Sequence, residues 1–457
     1  MGVKHDTARS SGNMTDGQPA LRRELRLWQL VLFNISAVVG VRWLAAAAHA
    51  GPGSLTLWLF AAVAFLLPSA LVVSTLSTRF PDEGGVYIWT KHAFGEWHGF
   101  LCAWLYFISN ILFFPTLVLS GVTMASYTIG ASGAGFAENG AYAIPVTLAA
   151  LWLAFLTNLV GLRVGKWPAV LGGASTYAIV AVICVFGFAV ARRHGSATVF
   201  HLVPEASWGN LNFWSQIALG MTGLELSSIL GGEIHDPRKN IPRAAWIGCL
   251  GCAAFYICGT AALLALLPPA QISPLTGLAQ AGAVATASFG IQWLSPCFTC
   301  LIVVGFVGQL STYVAANTRL PYTLGIDHYL PPAFAKLHPR WRTPHVSILV
   351  QLGLSTLLLL ATQLGENLRA GYQILVDMVT IATLIPFVYI FGSGFRFGNR
   401  WAGISGGLIA IAGVILSLSP PPDVAFVWLF ELKVVGGTIL LGMAGRAIFV
   451  RAKAARA

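Results

Sequence analysis

Two residues of this chain carry charge where charge is hardest to keep. Arg42 follows Ser36-Ala37-Val38-Val39-Gly40-Val41 near the middle of the first apolar run. Glu225 follows Gly220-Met221-Thr222-Gly223 in the sixth. An arginine does not lose its proton in a protein, so it needs a partner. A carboxylate in hydrocarbon is costly, and a dry setting favours its neutral form, so Glu225 could exchange protons near neutral pH. The glycines free the backbone beside both charges. Arg42 has two readings: a fixed cation that meets a ligand carboxylate or replaces a coupling ion, or one half of an internal pair with Glu225 or Asp377. Glu225 is either a titrating or gating acid or a carboxylate fixed by backbone amides.

The elements that must position these groups are membrane spans. The chain has 457 residues, of which 56% are hydrophobic and 9% charged, with mean hydropathy +0.74. A soluble domain carries about 25% charged residues. Apolar stretches of about 20 residues, enough to cross a bilayer, recur along the chain. They are continuously apolar, which excludes alternating barrel strands. Twelve are expected: 27–49, 55–78, 97–130, 141–161, 167–191, 211–233, 244–268, 288–318, 344–364, 369–392, 402–419 and 424–449. With the N-terminus inside, 22 of the 27 Lys and Arg fall in inner segments and only Arg192, Arg193 and Arg369 in outer loops. That bias predicts cytoplasmic N- and C-termini, and it accounts for the net charge of +11 without nucleic acid. Residues 1–24 read as a polar, disordered tail with no cleavable signal, 25–392 as a core of ten spans, 393–450 as two accessory spans and 451–457 as a second tail.

Breaks at corresponding places in spans 1 and 6, five spans apart, predict an inverted repeat with a site at its midplane. Asp377 lies in span 10. Asn110 of span 3 and Gln309, Ser311 and Thr312 of span 8 offer neutral hydrogen bonds, although such residues also serve as ordinary contacts between helices. Tyr106, Phe113 and Phe114 read as packing or gate aromatics. The turn Arg79-Phe80-Pro81-Asp82-Glu83-Gly84-Gly85-Val86-Tyr87 could latch or release the inner ends of helices. Cys249-x-x-Cys252 and Cys297-x-x-Cys300 read as small apolar residues on helix faces, so neither metal nor disulfide is expected. No nucleotide-binding loop, zinc-protease helix, nucleophile elbow or calcium loop is present, and neither enzyme chemistry nor a cofactor is expected.

Three motifs carry a resemblance. Phe80-Pro81-Asp82-Glu83-Gly84-Gly85-Val86-Tyr87 is similar to a Phe-Pro-x-x-Gly-Gly-x-Tyr motif. Gly223-Leu224-Glu225 with Gly232-Glu233-Ile234-His235-Asp236-Pro237-Arg238-Lys239-Asn240-Ile241-Pro242 is similar to a span 6 signature. Arg319, Asp327-x-x-Leu330-Pro331 and Thr343-Pro344 are similar to a connection between spans 8 and 9. From about residue 27 to 450 the chain resembles the amino acid–polyamine–organocation superfamily. The resemblance implies the all-α leucine-transporter fold, five helices repeated in inverted orientation plus two more, with spans 1 and 6 discontinuous.

It also implies a secondary transporter, permease or antiporter, of amino acids or related amines at the cytoplasmic membrane. Such a protein works by alternating access, coupled to protons or to exchange. The site would take Ser36, Val39, Gly40 and Arg42 from span 1, Asn110 from span 3, and Leu219, Gly220, Thr222 and Gly223 from span 6. Glu225, Asp377, Ser311 and Thr312 would serve coupling or gating. Asn110 stands where the family's arginine/agmatine antiporter has a substrate-contacting asparagine, and Glu225 matches the family's coupling acid. Gly40-Val41-Arg42 departs from the usual Gly-x-Gly, so that Arg42 could instead meet the carboxylate directly, or favour an acidic substrate. Residues 169–181 lack the lysine some relatives have; Arg42 in its stead implies sodium independence. The rival is a transporter-like sensor that binds ligand without flux. The partners are the small-molecule substrate, protons, membrane lipids and, as a candidate, a second copy of the chain.

Overall fold

The computed structural model describes residues 23–456 apart from 130–132, 138, 202, 205–207, 275, 363–367, 419–427 and 429–430. Most of the tail expected over 1–24 therefore lies outside the described residues, as does the start of the last expected span. The described chain is helical; the one β-type pairing is an isolated parallel bridge between Leu25 and Ile234. In lipid each backbone N–H and C=O must be satisfied within the protein, which a helix does along its own length. Nine helices are long and apolar enough to cross a membrane by length and composition among the described residues. The segments expected at 344–364 and 402–419 are the shorter helices His345–Thr362 and Arg400–Leu416. The segment expected at 211–233 is a helix Trp208–Gly220, five non-helical residues, then the single turn Leu226–Ile229. Span 1 is likewise two helices, Leu27–Val38 and Val41–His49.

Spans 1 and 3 form the centre: 89% of the apolar window of each is buried, against 17% for Val434–Ala454. Small residues let helices approach. A Cβ on Gly172 of the Leu162–His194 helix would stand 2.4 Å from Gly308 of the Ser295–Asn317 helix, and one on Gly173 would stand 2.6 Å from the Leu32 carbonyl of span 1. Pro68 and Pro115, inside spans, each free a carbonyl four residues earlier, and each carbonyl is met by a different neighbouring helix. Ser405 Oγ donates to the Ala64 carbonyl, freed by Pro68, at 2.9 Å. Ser355 Oγ donates to the Ile111 carbonyl, freed by Pro115, at 3.3 Å.

One end of the bundle carries Arg79, Lys91, Arg163, Arg319, Arg340 and Arg342 and is called the basic end below. There the turn at 80–84 docks on the end of span 6. Gly84 N–H donates to the Ile229 carbonyl at 3.1 Å. Gly84 has φ +90, and a Cβ on Gly85 would stand 2.2 Å from Ser228 Oγ. The paired glycines are needed because one must take the left-handed conformation and the other must touch its neighbour's backbone.

Candidate functional site

The two helix breaks meet. A Cβ on Gly223, whose φ is +128, would lie 2.9 Å from the Ala37 carbonyl carbon and 3.0 Å from Val38 N. Only glycine allows span 6 to cross span 1 so closely. Two side chains from other spans fasten the crossing. Tyr256, wholly buried in the Pro237–Leu266 helix, lies 2.8 Å from the carbonyls of Val38 and Gly220, which share its proton, and accepts from Gly40 N–H at 3.0 Å. Its ring stacks on Trp58 at 4.2 Å. Gln309 Nε2 donates to the Ala37 and Val39 carbonyls at 3.3 Å each.

Beside the crossing is a small cavity of about 20 Å³, room for little more than one water. Ala37 and Val38 of span 1, Asn110 and Phe113 of span 3, and Leu219 and Thr222 of span 6 line it, together with Trp43, Tyr106, Gln309, Tyr313, Val379 and Thr383. Thus Asn110, Leu219 and Thr222 of the expected site line the cavity, while Val39, Gly40, Gly220 and Gly223 build the crossing beside it. Ser36 is buried and its Oγ has no hydrogen-bond partner. Asn110 donates to the Tyr106 carbonyl at 2.7 Å and to Asn317 Oδ1 at 2.8 Å, so both its donors are engaged.

Glu225 is 1% exposed. Tyr106 O–H donates to its Oε1, and Gly223 N–H donates to its Oε2 at 3.0 Å. The acid therefore touches the cavity through Tyr106, which lines it, and senses the span 6 break through Gly223. Ser311 and Thr312 do not line the cavity. Ser311 Oγ donates to the Gly165 carbonyl at 3.0 Å and accepts from Asn158 at 3.1 Å; Thr312 donates to Gly308 of its own helix at 2.9 Å. Asp377 is buried in the span that also supplies Val379 and Thr383, and it too is not a lining residue.

Arg42, 2% exposed, forms no ion pair with Glu225 or Asp377; among the described residues the ion pairs are Lys91–Asp327, Lys166–Glu24 and Arg319–Glu233. Its guanidinium sits 4.4 Å from the Trp43 ring centre and 4.9 Å from that of Phe113, and Nη1 donates to Thr116 Oγ1 at 3.2 Å. Nε is buried without a partner. Each ring returns about 2 kcal/mol when desolvated, whereas removing an ion from water costs several kcal/mol. The cation stands behind the aromatic wall of the cavity, with its Nε the donor left unmatched.

At the basic end a set of buried contacts fastens the helices together. Arg319 Nε and Nη2 donate to Glu233 Oε1 at 3.0 and 2.9 Å, and Nη2 also reaches Oε2 at 3.2 Å. Glu83 Oε2 accepts from Gly232 N–H at 2.6 Å. Burial, with the charge of Glu233 nearby, pushes the Glu83 carboxyl up to about 8. Glu24 N–H and Leu25 N–H donate to the Glu233 carbonyl at 2.8 and 3.1 Å. Lys91 and Tyr87 both donate to Asp327 Oδ2, the former at 2.5 Å. The turn read from sequence as a latch is thus placed against the end of span 6. Tyr256 went unremarked in the sequence, where it is one aromatic residue in an apolar helix. In the sequence Gln309 is a neutral donor among others; its place as a polar residue within an apolar span is the signal it offers.

The family model for amino acid permeases matches residues 25–430. An uncharacterized transporter of Legionella pneumophila is 26% identical over 444 residues, covering 92% of this chain and 95% of that protein. The serine/threonine exchanger SteT of Bacillus subtilis is 27% identical over 383 residues, 81% of this chain and 83% of its own. The glutamate/serine transporter AimA of the same organism is 24% identical over 397 residues, 80% and 70% respectively. The family model covers residues 25–430, most of the chain, so this protein belongs to the amino acid permease family.

Proposed function

We propose that this protein carries amino acids or related amines across the cytoplasmic membrane by alternating access, with the cavity at the span 1–span 6 crossing as its site. The observation that carries the reading is the crossing itself: backbone carbonyls and amides of two breaks, joined through Tyr256, beside a cavity with one buried cation and one buried acid near its wall. Half-helix ends attract opposite charges, N-termini carboxylate and C-termini amine. The Val41–His49 helix begins at the break with Arg42 in its first turn, and a substrate carboxylate there would also give the unmatched Nε of that cation an acceptor. Substrates of the type named for the serine/threonine and glutamate/serine relatives have this chemistry.

In this reading twelve spans form the leucine-transporter fold, with 25–392 as the inverted-repeat core and 393–450 as accessory spans. The basic end and both tails face the cytoplasm, as the distribution of Lys and Arg favours. The cavity is too small for an amino acid, and the basic end is fastened, so the conformation described is closed. Opening requires the contacts of Glu83, Glu233 and Arg319 to part. Glu225 couples the step to protons or gates exchange. Arg42 in place of a small residue makes the cycle independent of sodium. A thermal-shift screen of the purified protein against amino acids and polyamines, with and without sodium, tests the site: a ligand that binds the native state raises Tm. Stabilisation by a carboxylate-bearing amino acid irrespective of sodium supports it. Stabilisation by none of these ligands counts against it.

A further inference from the structure

A second cavity, about 250 Å³, lies at the basic end between the start of the Leu162–His194 helix and the loop at 338–343. It is far larger than the central one and is separate from it. Arg163, Arg340 and Arg342 line it, with the Arg319–Glu233 pair and Glu24 also on its wall. The two acids are matched within the protein: Glu233 by Arg319 and Glu24 by Lys166 at 3.4 Å. Arg163 and Arg340 form no ion pair among the described residues. The cavity therefore holds an excess of guanidinium groups.

The loop that presents them is built. Thr343 Oγ1 donates to the Leu159 carbonyl at 2.8 Å and docks the loop on the end of the preceding span. His338 N–H donates to the Thr343 carbonyl, and Arg342 N–H to the His338 carbonyl, each at 2.8 Å. The backbone N–H groups of Arg340 and Trp341 both donate to His338 Nδ1 at 3.3 Å, and the His338 and Trp341 rings stack at 4.3 Å. Arg342 is held at φ +53. On the facing side Gly161, at φ +106, leaves the Trp341 carbonyl 3.3 Å from where a Cβ would stand.

We propose that this cavity binds a phosphate-bearing anion, and that the headgroup of an anionic phospholipid is its source. Planar guanidinium groups match phosphate oxygens two at a time, and basic pockets between spans at the cytoplasmic face suit lipid headgroups. The lipid source is favoured by what adjoins the cavity. Val164 lines it, and Val164, Trp167 and Leu171 follow at helical spacing, 46%, 56% and 57% exposed. This apolar strip leads from the arginines along the outside of the bundle, where an acyl chain can lie. Since the wall includes Glu233 and Arg319, occupancy would favour the fastened form of the basic end.

The test uses the full chain purified in a neutral detergent. Dioleoylphosphatidylglycerol, dioleoylphosphatidylcholine and inorganic phosphate are each titrated while Tm is followed. The expected result is stabilisation by phosphatidylglycerol but not by phosphatidylcholine. Its apparent affinity should fall about tenfold for each of Arg163→Gln and Arg340→Gln, the scale of one charge-assisted contact. Arg192→Gln with Arg193→Gln, at the other end, should leave it unchanged. Both probed arginines are exposed, so their variants should fold. Stabilisation by inorganic phosphate, lost in the same two variants, keeps the site and assigns it to a free anion. Stabilisation by phosphatidylglycerol that is equal in wild type and both variants, or absent throughout, overturns the proposal.

Discussion

Tyr256 and Gly220 are joined by a 2.8 Å contact between a phenol and a backbone carbonyl, and the same phenol lies 2.8 Å from the Val38 carbonyl and 3.0 Å from Gly40 N. A side chain of a third helix thereby holds the ends of two broken helices together. Tyr256→Phe leaves one amide and two carbonyls short of a buried partner. Such losses cost about 1–3 kcal/mol. The purified variant should melt measurably below wild type. An equal Tm would mean that the breaks are held by Gln309 and packing alone.

Gly223 is the point where span 6 crosses span 1, with positive φ and no room for a Cβ. Gly223→Ala forces the two breaks apart or strains the backbone, at about 1–3 kcal/mol for the conformation alone. Ligand binding to the variant, followed by ligand-induced stabilisation, should be lost while the protein still folds in detergent. Ligand binding of wild-type strength would place the site elsewhere.

Arg42 is a buried cation held by two rings and a threonine. If its charge serves the substrate carboxylate, Arg42→Ala should weaken binding of carboxylated amino acids about tenfold or more, the scale of a charge-assisted hydrogen bond, and spare amines such as agmatine. Equal loss of both classes rejects that role.

Glu225 links Tyr106 to the Gly223 amide. If Glu225 couples protons, Glu225→Gln keeps the shape and removes the exchangeable proton. Uptake by the variant should lose its dependence on pH while exchange continues. A pH profile like that of wild type would remove Glu225 from coupling.

Glu83 gives a pH dependence whose sign follows from burial. Its carboxyl is raised from 4.5 to about 8, so the fastened form holds the proton more tightly than an exposed or unfolded Glu83. The stability this contributes is complete below pH 4.5 and declines as pH rises through 8. Wild-type Tm should therefore fall relative to Glu83→Gln between pH 5 and 9. Parallel curves over that range would show that Glu83 keeps the same protonation in both forms.

Local chemistry made much of this legible in the sequence. Gly40 and the Gly220–Gly223 pair mark backbone that is free to leave the helix: Gly40 and Gly223 are non-helical, and Gly220 is the last residue of the Trp208–Gly220 helix. Phe80-Pro81-Asp82-Glu83-Gly84-Gly85 marked a turn, and its glycines take the left-handed and close-contact positions. What could not be read was the partner of each buried group. An ion pair is one of the two sequence readings of Arg42, yet it lies against Trp43 and Phe113; rings one residue and seventy-one residues away are indistinguishable from ordinary apolar packing in a sequence. Asn110 pairs with Asn317, and Ser311 with Gly165 and Asn158, for the same reason: these contacts depend on helix rotation, which hydropathy does not encode. The arginine-lined cavity joins residues about 180 positions apart.

The most direct test of the central claim is counterflow. Proteoliposomes loaded with an unlabelled amino acid that stabilises the protein are diluted into a trace of the labelled compound, without sodium. The account predicts transient accumulation of label in wild-type vesicles and none in Gly223→Ala vesicles. Binding without any accumulation in wild type would contradict transport and leave a protein that senses its ligand without moving it.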